Sequence, residues 1–170
     1  MPSSLQEGKK EIYKYVDENV RRDASILDVG PGECQYGLKL RAMGYKSVDA
    51  LEVEPDYIEK YRQRERYRQL HVGDVRTWEP TMHYDVVIFG DVLEHLTLEE
   101  ALRVLHVYRA SLVIASVPWM YKQGILDGHV HEIHLQDQMT FENVDEDYKP
   151  DLWLFNGPAI GVFVKLPVVG

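Results

Sequence analysis

Cysteine is nearly absent from this chain: Cys34 is the only one in 170 residues. A single thiol excludes an internal disulfide framework and fits a reducing compartment. Long apolar runs are missing as well. No stretch approaches the length of a membrane span, and Met1 to Lys10 has no apolar core of the kind a secretory leader carries. The expectation is a cytoplasmic protein with no membrane partner. Positive charge is in deficit, with 19 Lys and Arg against 28 Asp and Glu, a formal net charge of −9. Phosphate backbones are held by clustered Lys and Arg, so this balance argues against a nucleic-acid partner. Lys60, Arg62, Arg64, Arg66 and Arg68 do crowd one segment. Their even spacing spreads them around a helix, which predicts a solvated face rather than a polyanion patch. There is no internal repeat and no low-complexity tract. The length is that of one domain able to bury a sizeable core, and the apolar fraction of 45% is ordinary for a globular chain.

What is present is concentrated in ILDVGPGECQYG, Ile26 to Gly37. Ile26, Leu27 and Val29 read as a short strand buried on both faces, which calls for an apolar run rather than alternation. Gly30 and Gly32 allow a sharp turn and leave no side chain between the main chain and a ligand. Glu33 to Met43 then reads as a one-sided helix carrying Leu38, Leu40, Ala42 and Met43. A strand, a glycine turn and a helix start make a nucleotide-type ligand site. Ser47 to Val53 reads as a second strand with Glu52 at its C-terminal end, about 20 residues past Gly32, where an acid accepts hydrogen bonds from the ribose hydroxyls of an adenosine ligand. A polar helix from Asp56 to about Arg68 and a third strand ending at Gly73-Asp74 follow. Tyr84 to Leu96 (YDVVIFGDVLEHL) supplies a fourth strand and a loop with Gly90, Asp91, Glu94 and His95.

These four segments, in this order, resemble the motifs of class I S-adenosylmethionine-dependent methyltransferases. LDVGPGECQYG is similar to their first motif, ALEVEPDYI to the acidic second-strand motif, and GDVRTW to the third-strand motif. YDVVIFGDVLEHL resembles the fourth-strand motif with the LEH ending common among small-molecule methyltransferases. Cys34 departs from the pattern, standing where the family often has a third glycine or alanine. The resemblance implies S-adenosylmethionine as cofactor. On it, Glu52 holds the ribose and Asp74 meets the adenine amino group, with Val53 and Val75 beside the ring. Asp28, Gly30, Gly32 and Cys34 line the methionine end, partly through backbone groups. Gly90 and Asp91, with Glu94, belong to the loop around the methionine amino group.

A nicotinamide-binding domain is the nearest enzymatic rival. Asp28 lies inside the first strand, where dehydrogenase fingerprints are usually apolar, and no glycine stands three residues after Gly32. A second alternative is a catalytically silent domain of the same kind acting as a binding or scaffold subunit. Intact motifs at each cofactor position argue against it.

The fold expected is α/β: a single Rossmann-like, doubly wound sheet, mostly parallel, with an antiparallel C-terminal strand. Residues 1–22 hold an N-terminal helix (Leu5 to Val20), which the resemblance places near the cleft. Residues 23–117 form the cofactor-binding half, including a helix from Glu99 to Arg109 capped by Thr97 and Glu100 and a fifth strand from Ser111 to Val117. Residues 118–140 form an irregular loop overhanging the cleft, and 141–170 a helix or turn and a closing hairpin around Asn156-Gly157-Pro158. The loop carries Trp119 and Tyr121, an apolar wall for the acceptor, and three of the seven histidines, His129, His131 and His134. HVHEIH invites a zinc or iron reading, but it lacks the HExxH spacing, and substrate contact is the preferred role. Histidine suits a general base because its ordinary pKa lies near neutrality. His95 is the first candidate. The fourth-strand tip reads GDVLE rather than an Asn-Pro-Pro-Tyr-like tetrapeptide, which argues against methylation of exocyclic amines of DNA. The acceptor expected is a small molecule; its identity and the oligomeric state are not legible in the sequence.

Overall fold

The structure is a computed structural model that describes residues 8–108, 110–118, 152–156 and 160–165. In chain order the elements are α1 (Lys9–Asn19), β1 (Ser25–Val29), α2 (Gln35–Ala42), β2 (Ser47–Glu52), α3 (Pro55–Lys60), α4 (Gln63–Arg66) and β3 (Leu70–Val72). Then come β4 (Val86–Gly90), a 3-10 turn (Leu93–His95), α5 (Leu98–Val107), β5 (Leu112–Pro118), β6 (Leu152–Asn156) and β7 (Ile160–Lys165). The strands form one sheet in the order β3-β2-β1-β4-β5-β7-β6. β1 to β5 are parallel throughout. Antiparallel pairing lies outside that five-strand set: β7 runs against both β5 and β6.

Successive strand residues point to opposite faces, and here both faces are covered. Leu27, Val29, Val87, Phe89, Val113 and Ala115 pack on one side with Ala101, Val104, Leu105 and Tyr108 of the α5 region. Ile26, Val48, Ala50, Val86, Ile88 and Ile114 pack on the other with Ile12 and Val16 of α1 and Leu40 of α2. The apolar run of β1 follows from this two-sided burial. α5 begins as its sequence indicates: Thr97 Oγ1 accepts from the Glu100 N–H while the Glu100 carboxylate accepts from the Thr97 N–H.

Two boundaries differ from the sequence reading. The N-terminal helix starts at Lys9, and Leu5 lies outside the described residues. The polar segment after β2 is not one helix but two. The chain breaks at Arg62, whose φ of 50° places it in the left-handed region, and the break turns Gln63 inward until none of it is exposed. The basic run is therefore only partly a solvated face. Arg62 pairs with Glu65, while Arg68 reaches the fully buried Asp49 through two bonds of 2.8 and 2.5 Å. Tyr84 Oη donates to the same carboxylate at 3.0 Å. A buried carboxylate needs such partners, since an unpaired one costs several kcal/mol.

From β1 the chain moves outward through β2 to β3, then returns to the other side of β1 for β4 and β5. Such a reversal opens a crevice between the carboxyl ends of the two central strands, where open α/β sheets take their ligands. Here those ends are Gly30, just past β1, and Gly90-Asp91, at the end of β4.

Candidate active site at the carboxyl ends of the strands

The turn after β1 requires glycine. Gly30 has φ of +65°, and a Cβ there would come within 2.7 Å of Val92 Cγ2. Its N–H donates to Leu51 O at 2.9 Å, which ties the turn to β2. Gly90 is held by packing: a Cβ would stand 2.5 Å from Tyr36 Cε2. Gly90→Ala should lower stability by about 1–3 kcal/mol through overpacking. Urea unfolding checks this, and an unchanged midpoint would contradict it.

Cys34 follows in the left-handed region, with φ of 66°, and its side chain is wholly buried. Sγ lies 3.7 Å from Gly32 O and packs among Ile26, Tyr36 and Leu40. Burial pushes the thiol up to about 11, so it stays protonated and unreactive. Any contact it makes with a ligand in the turn comes from its backbone.

Asp28 is 1% exposed, and its Oδ2 accepts from Tyr67 Oη at 2.6 Å. Desolvation raises its pKa to about 7, against the pull of the Tyr67 hydrogen bond. Beyond β4, Asp91 adopts the left-handed conformation, with φ of 57°. Its N–H donates to Ser116 O, and Ser116 Oγ donates to its Oδ1 at 2.9 Å. Such a φ on a non-glycine residue costs free energy and is met most often at functional sites. Glu94, 1% exposed, has its pKa raised by desolvation and by Asp91. The Lys9 side chain reaches this acidic end from α1, 3% exposed, with Nζ 5.7 Å from the centre of the Tyr36 ring. Burial lowers its pKa, while Asp91, Asp28 and Glu33 oppose the shift.

At the tip of β2, Glu52 is 4% exposed. Its Oε1 accepts from the N–H groups of Val53 and Glu54 at 2.9 and 3.0 Å, and its Oε2 accepts from Gln63 Nε2 at 3.1 Å. Val53 beside it is exposed, an apolar side chain with nothing over it among the described residues. Asp74, past β3, is engaged by Arg76 through the backbone N–H and the guanidinium, which holds its carboxyl below the usual range. Val75 is partly buried against the core.

The strand tips thus gather Asp28, Gly30, Gly32, Glu52, Asp74, Gly90 and Asp91 along the carboxyl edge of one parallel sheet. His95 is exposed at the end of the 3-10 turn beyond β4. Trp119, Tyr121, His129, His131 and His134 lie outside the described residues. Among the described residues no group of three or more His, Cys, Asp or Glu side chains is arranged to hold a metal ion. Nor is any described helix long and apolar enough to cross a membrane. Sequence reasoning passed over Lys9, Tyr36, Gln63, Tyr67 and Ser116. Lys9 and Gln63 sit in polar runs that read as solvated, and nothing local marks them for burial.

The strand order and parallel pairing define a doubly wound α/β domain. The methyltransferase domain family matches residues 26–113, over half of the 170 residues, and the chain belongs to it. No curated protein sequence matches the chain. Solved structures share the fold at low identity. The methyltransferase domain of bacterial CtHen1-CN is 18% identical, with 93% of this chain and 98% of that chain covered and a TM-score of 0.69. Magnesium protoporphyrin IX methyltransferase (ChlM) from Synechocystis PCC 6803, with bound S-adenosylhomocysteine, is 13% identical over 97% and 89%, TM-score 0.70. Small RNA methyltransferase HEN1 is 13% identical over 100% of this chain and 27% of that one, TM-score 0.70. The protein is an S-adenosylmethionine-dependent methyltransferase.

The residues present fit that cofactor. Glu52 puts a carboxylate at the tip of β2, Val53 offers open apolar surface beside it, and Gly30 carries no side chain at the turn after β1.

Proposed function

We propose that this enzyme methylates a small-molecule acceptor, with the cofactor lying across the carboxyl ends of β1, β2 and β4. Glu52 holds the ribose end, and Val53, Val75 and Asp74 border the adenine. The backbone of Gly30, Gly32 and Cys34, with Asp28, Gly90 and Asp91, borders the methionine end, and Lys9 supplies a cation for its carboxylate. When bound, the cofactor supplies an electrophilic methyl group on a sulfonium. The chain's task is to orient the acceptor in line with that group, to exclude water, and to accept a proton where the nucleophile carries one. His95, exposed on the turn after the central strand β4, is assigned that role. Trp119, Tyr121, His129, His131 and His134 are assigned to the acceptor side.

The observation that carries the small-molecule reading is the acidity of the β4 tip. Asp91 stands there on a chain of 28 Asp and Glu against 19 Lys and Arg, a formal net charge of −9, and that balance disfavours a polyanionic acceptor. The structural neighbours act on both kinds of acceptor, a porphyrin in one and small RNA in another by their names. A panel of small oxygen, nitrogen and carbon nucleophiles and short RNA duplexes, offered with labelled methyl donor, tests the reading. Label is expected on a small molecule. Label on RNA alone would overturn it.

A further inference from the structure

A cation of the chain's own sits at the methionine end of the crevice. Lys9, the first residue of α1, is almost fully buried, and its Nζ stands 5.7 Å from the centre of the Tyr36 ring. That ring lies against the carboxyl end of β4, since a Cβ on Gly90 would meet Tyr36 Cε2 at 2.5 Å. Asp91, Asp28 and Glu33 stand close enough for their charges to oppose the effect of burial on the ammonium. Lysine is almost never buried without such company, because an uncompensated charge away from water is strongly disfavoured. The surfaces around it are open to a ligand: Gly30 is exposed, and Gly32, Glu33, Gly90 and Asp91 are partly exposed.

The amino-acid end of S-adenosylmethionine is a zwitterion, with an α-ammonium and an α-carboxylate on one carbon. Its ammonium has the charge of Lys9 and calls for the same acids. Two ammonium groups at contact distance repel each other, so one of them has to leave. Its carboxylate has the opposite need: at an end lined by acids it requires a cation. The side chain displaced by one charge is the one the other requires. The movement asked of Lys9 is small. Ile12 and Val16 are fully buried and fix α1 on the sheet. Lys9 stands at the helix end, just after Gly8 with φ of 80°, and carries its charge on a flexible four-carbon stem.

We propose that Lys9 stands in for the cofactor's ammonium and that binding exchanges one ion pair for another. In the structure the Lys9 ammonium rests among Asp91, Asp28 and Glu33. The cofactor's α-ammonium takes that place, and the Lys9 ammonium swings to the cofactor's α-carboxylate. The exchange keeps every charge paired and selects ligands that carry both groups. This rests on the cofactor-site reading above.

The test is calorimetric binding of S-adenosylhomocysteine, its decarboxylated analogue and its deaminated analogue to the wild type and Lys9→Met. Methionine keeps most of the apolar stem and removes the charge. The decarboxylated analogue displaces the Lys9 ammonium and offers it no new partner, so it should bind Lys9→Met roughly 10-fold more tightly than the wild type. The deaminated analogue brings a carboxylate alone, so it should bind Lys9→Met roughly 10-fold more weakly. Shifts of the same sign for both analogues would overturn the exchange, because they would make Lys9 a strut for α1. Unchanged affinity for the decarboxylated analogue would overturn it too, leaving Lys9 a carboxylate contact only. Either result with wild-type binding of S-adenosylhomocysteine intact refutes the exchange alone; if the wild type binds none of the three, the site reading falls with it. Should Lys9→Met fail to fold, the wild type still decides. The NMR resonance of the Lys9 Cε methylene should shift with S-adenosylhomocysteine and stay in place with methylthioadenosine, which lacks the amino-acid end. Equal shifts with both ligands, or none with S-adenosylhomocysteine, would refute the proposal.

Discussion

His95→Ala is expected to depress turnover by about 10²- to 10⁴-fold, the cost of losing a base from a reaction that needs one. Cofactor affinity should stay close to that of the wild type, because His95 sits on the turn beyond β4 while Glu52, the acid proposed to hold the ribose, ends β2. A lost positioning contact would instead raise the Michaelis constant and spare turnover. The comparison set is alanine at His129, His131 and His134, with each rate measured at saturating cofactor and acceptor. Unchanged turnover for His95→Ala rejects the base, and a larger loss at one of the other histidines transfers the role to it.

The pH dependence of stability should be governed in large part by Asp28. Its pKa rises from the ordinary aspartate value of 3.8 to about 7 in the fold, chiefly by desolvation. Between those values the folded protein binds a proton that the unfolded chain has released, so stability falls as pH rises. The loss begins above the unfolded value and is complete once pH passes about 7, amounting to on the order of 4 kcal/mol. Asparagine has the same shape, can still accept from Tyr67 and does not titrate. The stability difference between Asp28→Asn and the wild type should therefore shift in favour of the variant by that amount between pH 4 and pH 8. Denaturant unfolding of the unliganded proteins at both pH values measures it. Glu94, also raised by burial, titrates in both proteins and cancels in the comparison. Parallel pH profiles would contradict the account of a buried, weakly compensated carboxyl.

Local chemistry in the sequence anticipates a good part of this architecture. The β1 turn is visible because Gly30 and Gly32 end an apolar run, and Glu52 because a lone acid closes the next strand. The α5 cap is visible because Thr97 and Glu100 are three apart. What sequence reading misses depends on partners distant along the chain. Tyr67 bonds Asp28 from 39 residues away. Gln63 reaches Gly32 over 31 residues, from within a run whose arginines suggest a solvated helix. Arg62 breaks that helix with neither glycine nor proline at the break, so no local signal marks it. Lys9 is buried only because α1 lies against the acidic end of the cleft, where Asp91, Asp28 and Glu33 sustain its charge.

The central claim is that the crevice at the strand ends binds the cofactor through Glu52. Calorimetry of S-adenosylhomocysteine with the wild type and Glu52→Ala tests it most directly. The wild type should bind, and Glu52→Ala should lose about 2–3 kcal/mol, the scale of hydrogen bonds to a charged group. Native affinity in Glu52→Ala, or no binding by the wild type, would contradict it.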